Sequence, residues 1–112
     1  MIEISVETRS AGGWTIIDVV GEVDVFTAPT LRERIISLVG DGKNRIVVNL
    51  EKVAFMDSTG LGVLVGGLKR VKESDGTLAL AGAGGTVQRV LSVTGLSSVF
   101  PMHPTVEAAT SG

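Results

Sequence analysis

Ile2, Ile4 and Val6 alternate with Glu3, Ser5 and Glu7, the period-two signature of a strand with one wet face. Ser10-Ala11-Gly12-Gly13 predicts a turn, and Trp14-Thr15-Ile16-Ile17-Asp18-Val19-Val20 reads as the hairpin partner. Gly21-Glu22-Val23-Asp24 closes that strand. Thr27-Ala28-Pro29 then opens a helix, since proline in a first turn forfeits no needed N–H. Leu31, Ile35, Leu38 and Val39 recur at helical spacing, and Gly40-Asp41-Gly42 ends the run.

Arg45-Ile46-Val47-Val48-Asn49-Leu50 predicts a strand whose nearly continuous apolar centre is covered on both faces. A second helix is expected from about Thr59 towards Glu73, with Leu61, Leu64, Val65, Leu68 and Val71 as its apolar stripe. Thr77 to Ala81 reads as a strand, Gly82-Ala83-Gly84-Gly85 as its exit turn, and Val87, Val90 and Leu91 as a short helix closed by Gly95. A last strand over Ser98-Val99-Phe100 and a small helix from Pro104 to Ala109 complete the reading. The order implies a mixed, mainly parallel sheet that starts with an antiparallel hairpin and has helices packed against it. No linker, low-complexity segment or repeat interrupts residues 1–112, which are expected to form one α/β domain.

The rest of the composition narrows the function. The 112 residues carry a formal charge of −2, one Trp, three Phe and no Tyr. That leaves neither a basic field for a duplex nor many stacking platforms for single strands, so no direct nucleic-acid contact is expected. Lys69, Arg70 and Lys72 read as the solvated side of a helix. Cysteine is absent, which excludes disulfides, thiolate catalysis and cysteine-ligated metals. No secretory pattern opens the chain and no run approaches the ~20 apolar residues of a membrane span. A soluble, cytoplasmic protein is expected.

Candidate catalytic groups are sparse. His103 is the only histidine and lies beside Pro104. Gly60, Gly62, Gly66 and Gly67 superficially resemble a dinucleotide fingerprint, but seven residues separate Leu50 from Ser58 and no acid follows on the next strand. Neither a catalytic residue, a metal nor a cofactor is assigned. Asp24 and Asp57 both end strand-to-helix connections, where two loops can meet at the carboxyl edge of a parallel sheet; each is otherwise a loop cap. Ser58 falls where the second helix should begin. A serine there is a cap, or a position whose free N–H groups and helix dipole suit a phosphate. Gly62, Val63, Gly66, Lys69 and Glu73 lie on or beside the side of that helix opposite its leucines. An interior helix glycine costs about 1 kcal/mol against alanine, so close approach is expected, either by another protein or by the domain itself.

The string Val48-Asn49-Leu50, then Phe55-Met56-Asp57-Ser58-Thr59-Gly60-Leu61-Gly62, resembles the signature of anti-sigma factor antagonists, bacterial members of the STAS domain group. Gly21-Glu22-Val23-Asp24 with Ala28 and Leu31 resembles that family's upstream element. The resemblance covers almost the whole chain and implies a single STAS-like domain. It further implies a partner switch in which Ser58 is the phosphoacceptor, with Asp24, Asp57, Thr59 and Gly60 around it. The implied partners are an anti-sigma factor serine kinase, bound through Gly62, Val63, Gly66, Lys69 and Glu73, and a PP2C-type phosphatase. The chain would be a monomer or weak dimer, a substrate rather than an enzyme. A scaffold module of a larger signalling assembly, and a nucleotide- or ligand-binding domain that cradles phosphate at the Ser58 helix, are the alternatives.

Overall fold

The computed structural model describes residues 4–111, so the expectations for Ile2 and Glu3 lie outside the described residues. Strand β1 (Ile4–Ala11) turns back into β2 (Trp14–Val23). Gly12 and Gly13 make that two-residue turn with φ of 58° and 86°, the paired positive values that match a right-handed strand twist. Helix α1 (Ala28–Gly40), β3 (Arg45–Met56), α2 (Ser58–Glu73), β4 (Thr77–Ala81) and α3 (Gly85–Val93) follow. A 3-10 turn (Leu96–Ser98), β5 (Met102–His103) and α4 (Val106–Thr110) end the described chain.

The sheet runs β1-β2-β3-β4-β5, antiparallel in its first pair and parallel thereafter. When parallel strands are added in sequence order, right-handed crossovers carry every connecting helix over the same face. The principal core accordingly joins Ile17, Val19, Ile46, Val48, Leu50, Leu78 and Leu80 of the sheet to Leu31 and Ile35 of α1, Leu64, Leu68 and Val71 of α2, and Leu91 of α3. The opposite face is closed by α4. There Ile16, Val47, Ala79 and Ala81 pack against Val106 and Ala109, with Trp14 at the rim. Arg45 stacks its guanidinium 4.5 Å from the Trp14 ring centre.

Two departures from the sequence expectation bear on the site. The central strand does not stop at Leu50 but continues to Met56. Its pairing with β2 shifts between Asp18 and Val20 and again between Gly21 and Glu22, each time placing an extra residue on β3. These irregularities reset the alternation, so Leu50, Val53 and Met56 point inward three residues apart. The strand expected at Ser98-Val99-Phe100 is instead a 3-10 turn over Leu96–Ser98, entered through Gly95 at φ 77°. Phe100 is buried as a plug beside the sheet, and the strand comes later, at Met102–His103.

Candidate functional site

Parallel strands β2 and β3 end together, Val23 opposite Met56. The Asp57 N–H donates to the Val23 carbonyl at 3.1 Å. The loops after the two strands therefore adjoin, bringing the Asp24 segment beside Asp57 and Ser58.

Asp57, not Ser58, caps α2. Its Oδ1 accepts from the N–H groups of Thr59 at 2.9 Å and Gly60 at 3.1 Å, and its carbonyl accepts from Leu61 N–H at 3.0 Å. Ser58 is the first helical residue. It is exposed, and among the described residues its hydroxyl makes no hydrogen bond to the protein. Of the two roles open to Ser58, the cap belongs instead to Asp57, one position earlier. Asp57 stands in extended backbone just outside the first turn, where a cap must be, and its negative charge suits the positive helix end. The same bonds argue against the nucleotide cradle, because the donors it would use are already held by a fixed negative charge. Thr59 is exposed as well, whereas Gly60 is buried.

Gly60 and Gly67 lie against the core. A methyl at Gly60 would come 2.7 Å from Met56 Cγ and 2.8 Å from Val23 Cγ1, and one at Gly67 would come 3.1–3.2 Å from Leu78 and Ile35. Around Gly62 and Gly66 nothing stands within 4 Å of such a methyl. Internal packing thus accounts for the first pair and not the second. Gly62, Val63, Gly66, Lys69 and Glu73 line an open groove of about 310 Å³ with Arg32 and Ile35 of α1. Lys69, Arg70 and Lys72 are all exposed, and Leu61, Leu64, Leu68 and Val71 are buried as the stripe predicts.

Asp24 organises the other loop. Its Oδ1 accepts from the N–H groups of Phe26 at 2.9 Å and Thr27 at 3.0 Å. These bonds, that from Thr27 N–H foremost, hold its carboxyl below the ordinary value. Buried Thr27 ties the loop from inside, its hydroxyl donating to the Glu22 carbonyl at 2.6 Å and accepting from Asp24 N–H at 2.9 Å. Sequence reasoning missed what this loop carries. Phe26 is 86% exposed, with Val25 beside it and Phe55 half out of the paired strand end. The available signal was an aromatic residue placed off every strand and helix period.

No group of three or more metal-ligating side chains occurs among the described residues, and no described helix is long and apolar enough to cross a membrane. His103 sits half-buried on β5, far along the sheet from Ser58.

Known proteins share this architecture. The STAS domain family model matches residues 5–109. An anti-sigma-B factor antagonist of Staphylococcus aureus is 36% identical over 106 residues, which is 95% of this chain and 98% of that protein. An anti-sigma factor antagonist of Mycobacterium paratuberculosis superposes with a TM-score of 0.88 at 30% identity, covering 96% of this chain and 92% of that one. SpoIIAA in its unphosphorylated form gives 0.81 at 26% identity, over 94% of this chain and 92% of that one. The phosphorylated form from Bacillus gives 0.76 at 25%, over 96% and 97%. A matching family model over nearly the full length, together with relatives and solved structures named as anti-sigma factor antagonists, places the chain in the STAS domain family.

Proposed function

We propose that this protein is a partner-switching antagonist of an anti-sigma factor, and that Ser58 is the residue that throws the switch. The observation that carries this reading is the unengaged, exposed hydroxyl of Ser58, left free because Asp57 has taken the capping role. In the unmodified state α2 docks the anti-sigma factor, itself an ATP-dependent serine kinase, through Gly62, Val63, Gly66, Lys69 and Glu73, and a sigma factor is released. Attack of Ser58 Oγ on the γ-phosphorus of the kinase's ATP forms the phosphoester and expels ADP, while the serine proton passes to a base of the kinase. A PP2C-type phosphatase hydrolyses the ester. The chain serves as substrate and binding module, with no turnover of its own.

Electrostatics explains why the ester would release the partner. It adds a charge of about −1.5 to −2 next to Asp57, whose carboxylate already holds the nearest helix donors. A partner packed there would bury a dianion with too few donors, so discrimination comes from repulsion and desolvation. A penalty of about 3–5 kcal/mol lowers affinity more than a hundredfold. The likeness of this fold to both forms of SpoIIAA supports a switch that leaves the body of the domain in place.

The test is incubation with the cognate kinase and ATP, followed by mass spectrometry of the phosphorylated peptide. Labelling at Ser58 is expected. Ser58→Ala should lose the label and keep kinase binding, and Ser58→Glu should bind weakly while remaining folded. A label confined to Thr59, or kinase binding indifferent to Ser58→Glu, would remove Ser58 from the switch.

A further inference from the structure

The loop between β2 and α1 presents an apolar knob. Phe26 is 86% exposed and Val25 58%, and Phe55, 43% exposed, lies opposite Glu22 in the strand register beside them. A loose loop would fold such a side chain back onto the domain. Here that route is closed, because Asp24 Oδ1 fixes the N–H groups of Phe26 and Thr27, the Thr27 hydroxyl is tied to the Glu22 carbonyl, and Ala28 N–H donates to the Asp24 carbonyl at 2.8 Å. The backbone of the turn is fixed, and the ring it carries stands exposed.

We infer that Phe26 is the anchor of the contact with the anti-sigma kinase, entering an apolar pocket on that protein, and that Asp24 is a positioning residue which acts by holding Phe26 in place. This rests on the function proposed above and names a contact that it lacks. Continuity argues for the occupant. The Asp57 N–H to Val23 bond and the packing of Gly60 against Val23 fix the knob to the start of the docking helix. The loop that carries Phe26 is thereby tethered beside the start of α2, so a contact with a partner lying along α2 at Ser58 can extend onto it. Charge argues against a second copy of this chain meeting the knob head to head. The knob, residues 21–26, holds Glu22 and Asp24 and no lysine or arginine, so two knobs in contact would set like charges face to face, whereas Arg32, Lys52 and Lys69 lie around it. Pre-organisation adds to the effect, since the loop backbone that carries the ring is already fixed and loses little freedom on binding.

The experiment is calorimetric titration of the purified cognate kinase with the unmodified protein and with Phe26→Ala, Asp24→Ala and the double variant, alongside their unfolding midpoints. Phe26→Ala should weaken binding by about thirtyfold or more, the size of an interfacial anchor, with its midpoint unchanged because the ring touches little of its own domain. Asp24→Ala should weaken binding in the presence of Phe26 and add nothing in the double variant. Binding by Phe26→Ala within about threefold of the parent would overturn the anchor while leaving the Ser58 switch standing. An additive double variant would overturn the positioning role and make Asp24 a direct contact. Failure of the parent itself to bind the kinase would remove both the anchor and the proposed function. Concentration-dependent dimers that vanish in Phe26→Ala would assign the knob to self-association instead and overturn the inference.

Discussion

The glycines of α2 look alike in sequence and fall into two kinds in space. Gly60 and Gly67 face Val23, Met56, Ile35 and Leu78, where a methyl group would clash at the first and press tightly on its neighbours at the second; Gly62 and Gly66 face open space. The first pair lets the helix sit down on the sheet. The second weakens the helix without any return from within the domain. One helix thus carries a packing surface and an open surface, the latter being the docking side of the proposed function, and the same residue type marks both.

Substitution by alanine should separate the two. Gly60→Ala should destabilise the fold by about 1–3 kcal/mol, because overpacking against Met56 and Val23 exceeds the gain in helix propensity. Denaturant titration reads this directly, and an unchanged or raised midpoint would break the comparison. Asp57→Ala should cost about 1 kcal/mol through loss of the cap, whereas Ser58→Ala should leave stability nearly unaltered. Equal losses at the two positions would mean that the serine shares the capping role. Gly62→Ala and Gly66→Ala should each stabilise the isolated protein by about 0.5–1 kcal/mol while weakening capture of the anti-sigma factor. A thermal scan paired with a binding assay would reveal this opposition; stabilised variants with full binding would leave the open glycines unexplained.

The smallest effect concerns acid. Asp18 is held below the ordinary carboxyl value of 3.8 by its hydrogen bond from Arg9 at 2.7 Å, helped by Asn49, and Asp24 by the N–H groups of its loop. A depressed carboxyl contributes stability that is fully present above its ordinary value and is lost as the pH falls through its lowered one. Between about pH 5 and pH 2 the protein should therefore lose stability, and Asp18→Asn should flatten that limb slightly. Side-chain titration by NMR would check the direction at each carboxyl.

Much of this was legible in the chain. Alternation exposed the hairpin, the leucine stripe located α2, and the Asp57-Ser58 string marked the connection from β3 into α2. Failures came where local periodicity stops carrying information. The irregular pairing of β3 with β2 hides the outer half of that strand, since Leu50, Val53 and Met56 recur by three rather than two. Asp57 and Ser58 are both good caps, and only geometry separates adjacent good caps. Phe100 is buried without belonging to a strand, its direction set by the left-handed Gly95 and the turn that follows. Phe26 is the reverse case, an aromatic residue whose exposure follows from hydrogen bonds of its neighbours.

A consequence for biosynthesis follows from the small helix α4. All three larger helices lie on one side of the sheet, so Ile16, Val47, Ala79 and Ala81 have no lid until Val106 and Ala109 arrive. During translation β1 to β4 are complete by Ala81, well before that lid leaves the ribosome, and the nascent chain displays a greasy, half-finished surface in the meantime. Chaperone capture of stalled chains should accordingly peak for those that end between β4 and α4, and fall away once five more residues have emerged.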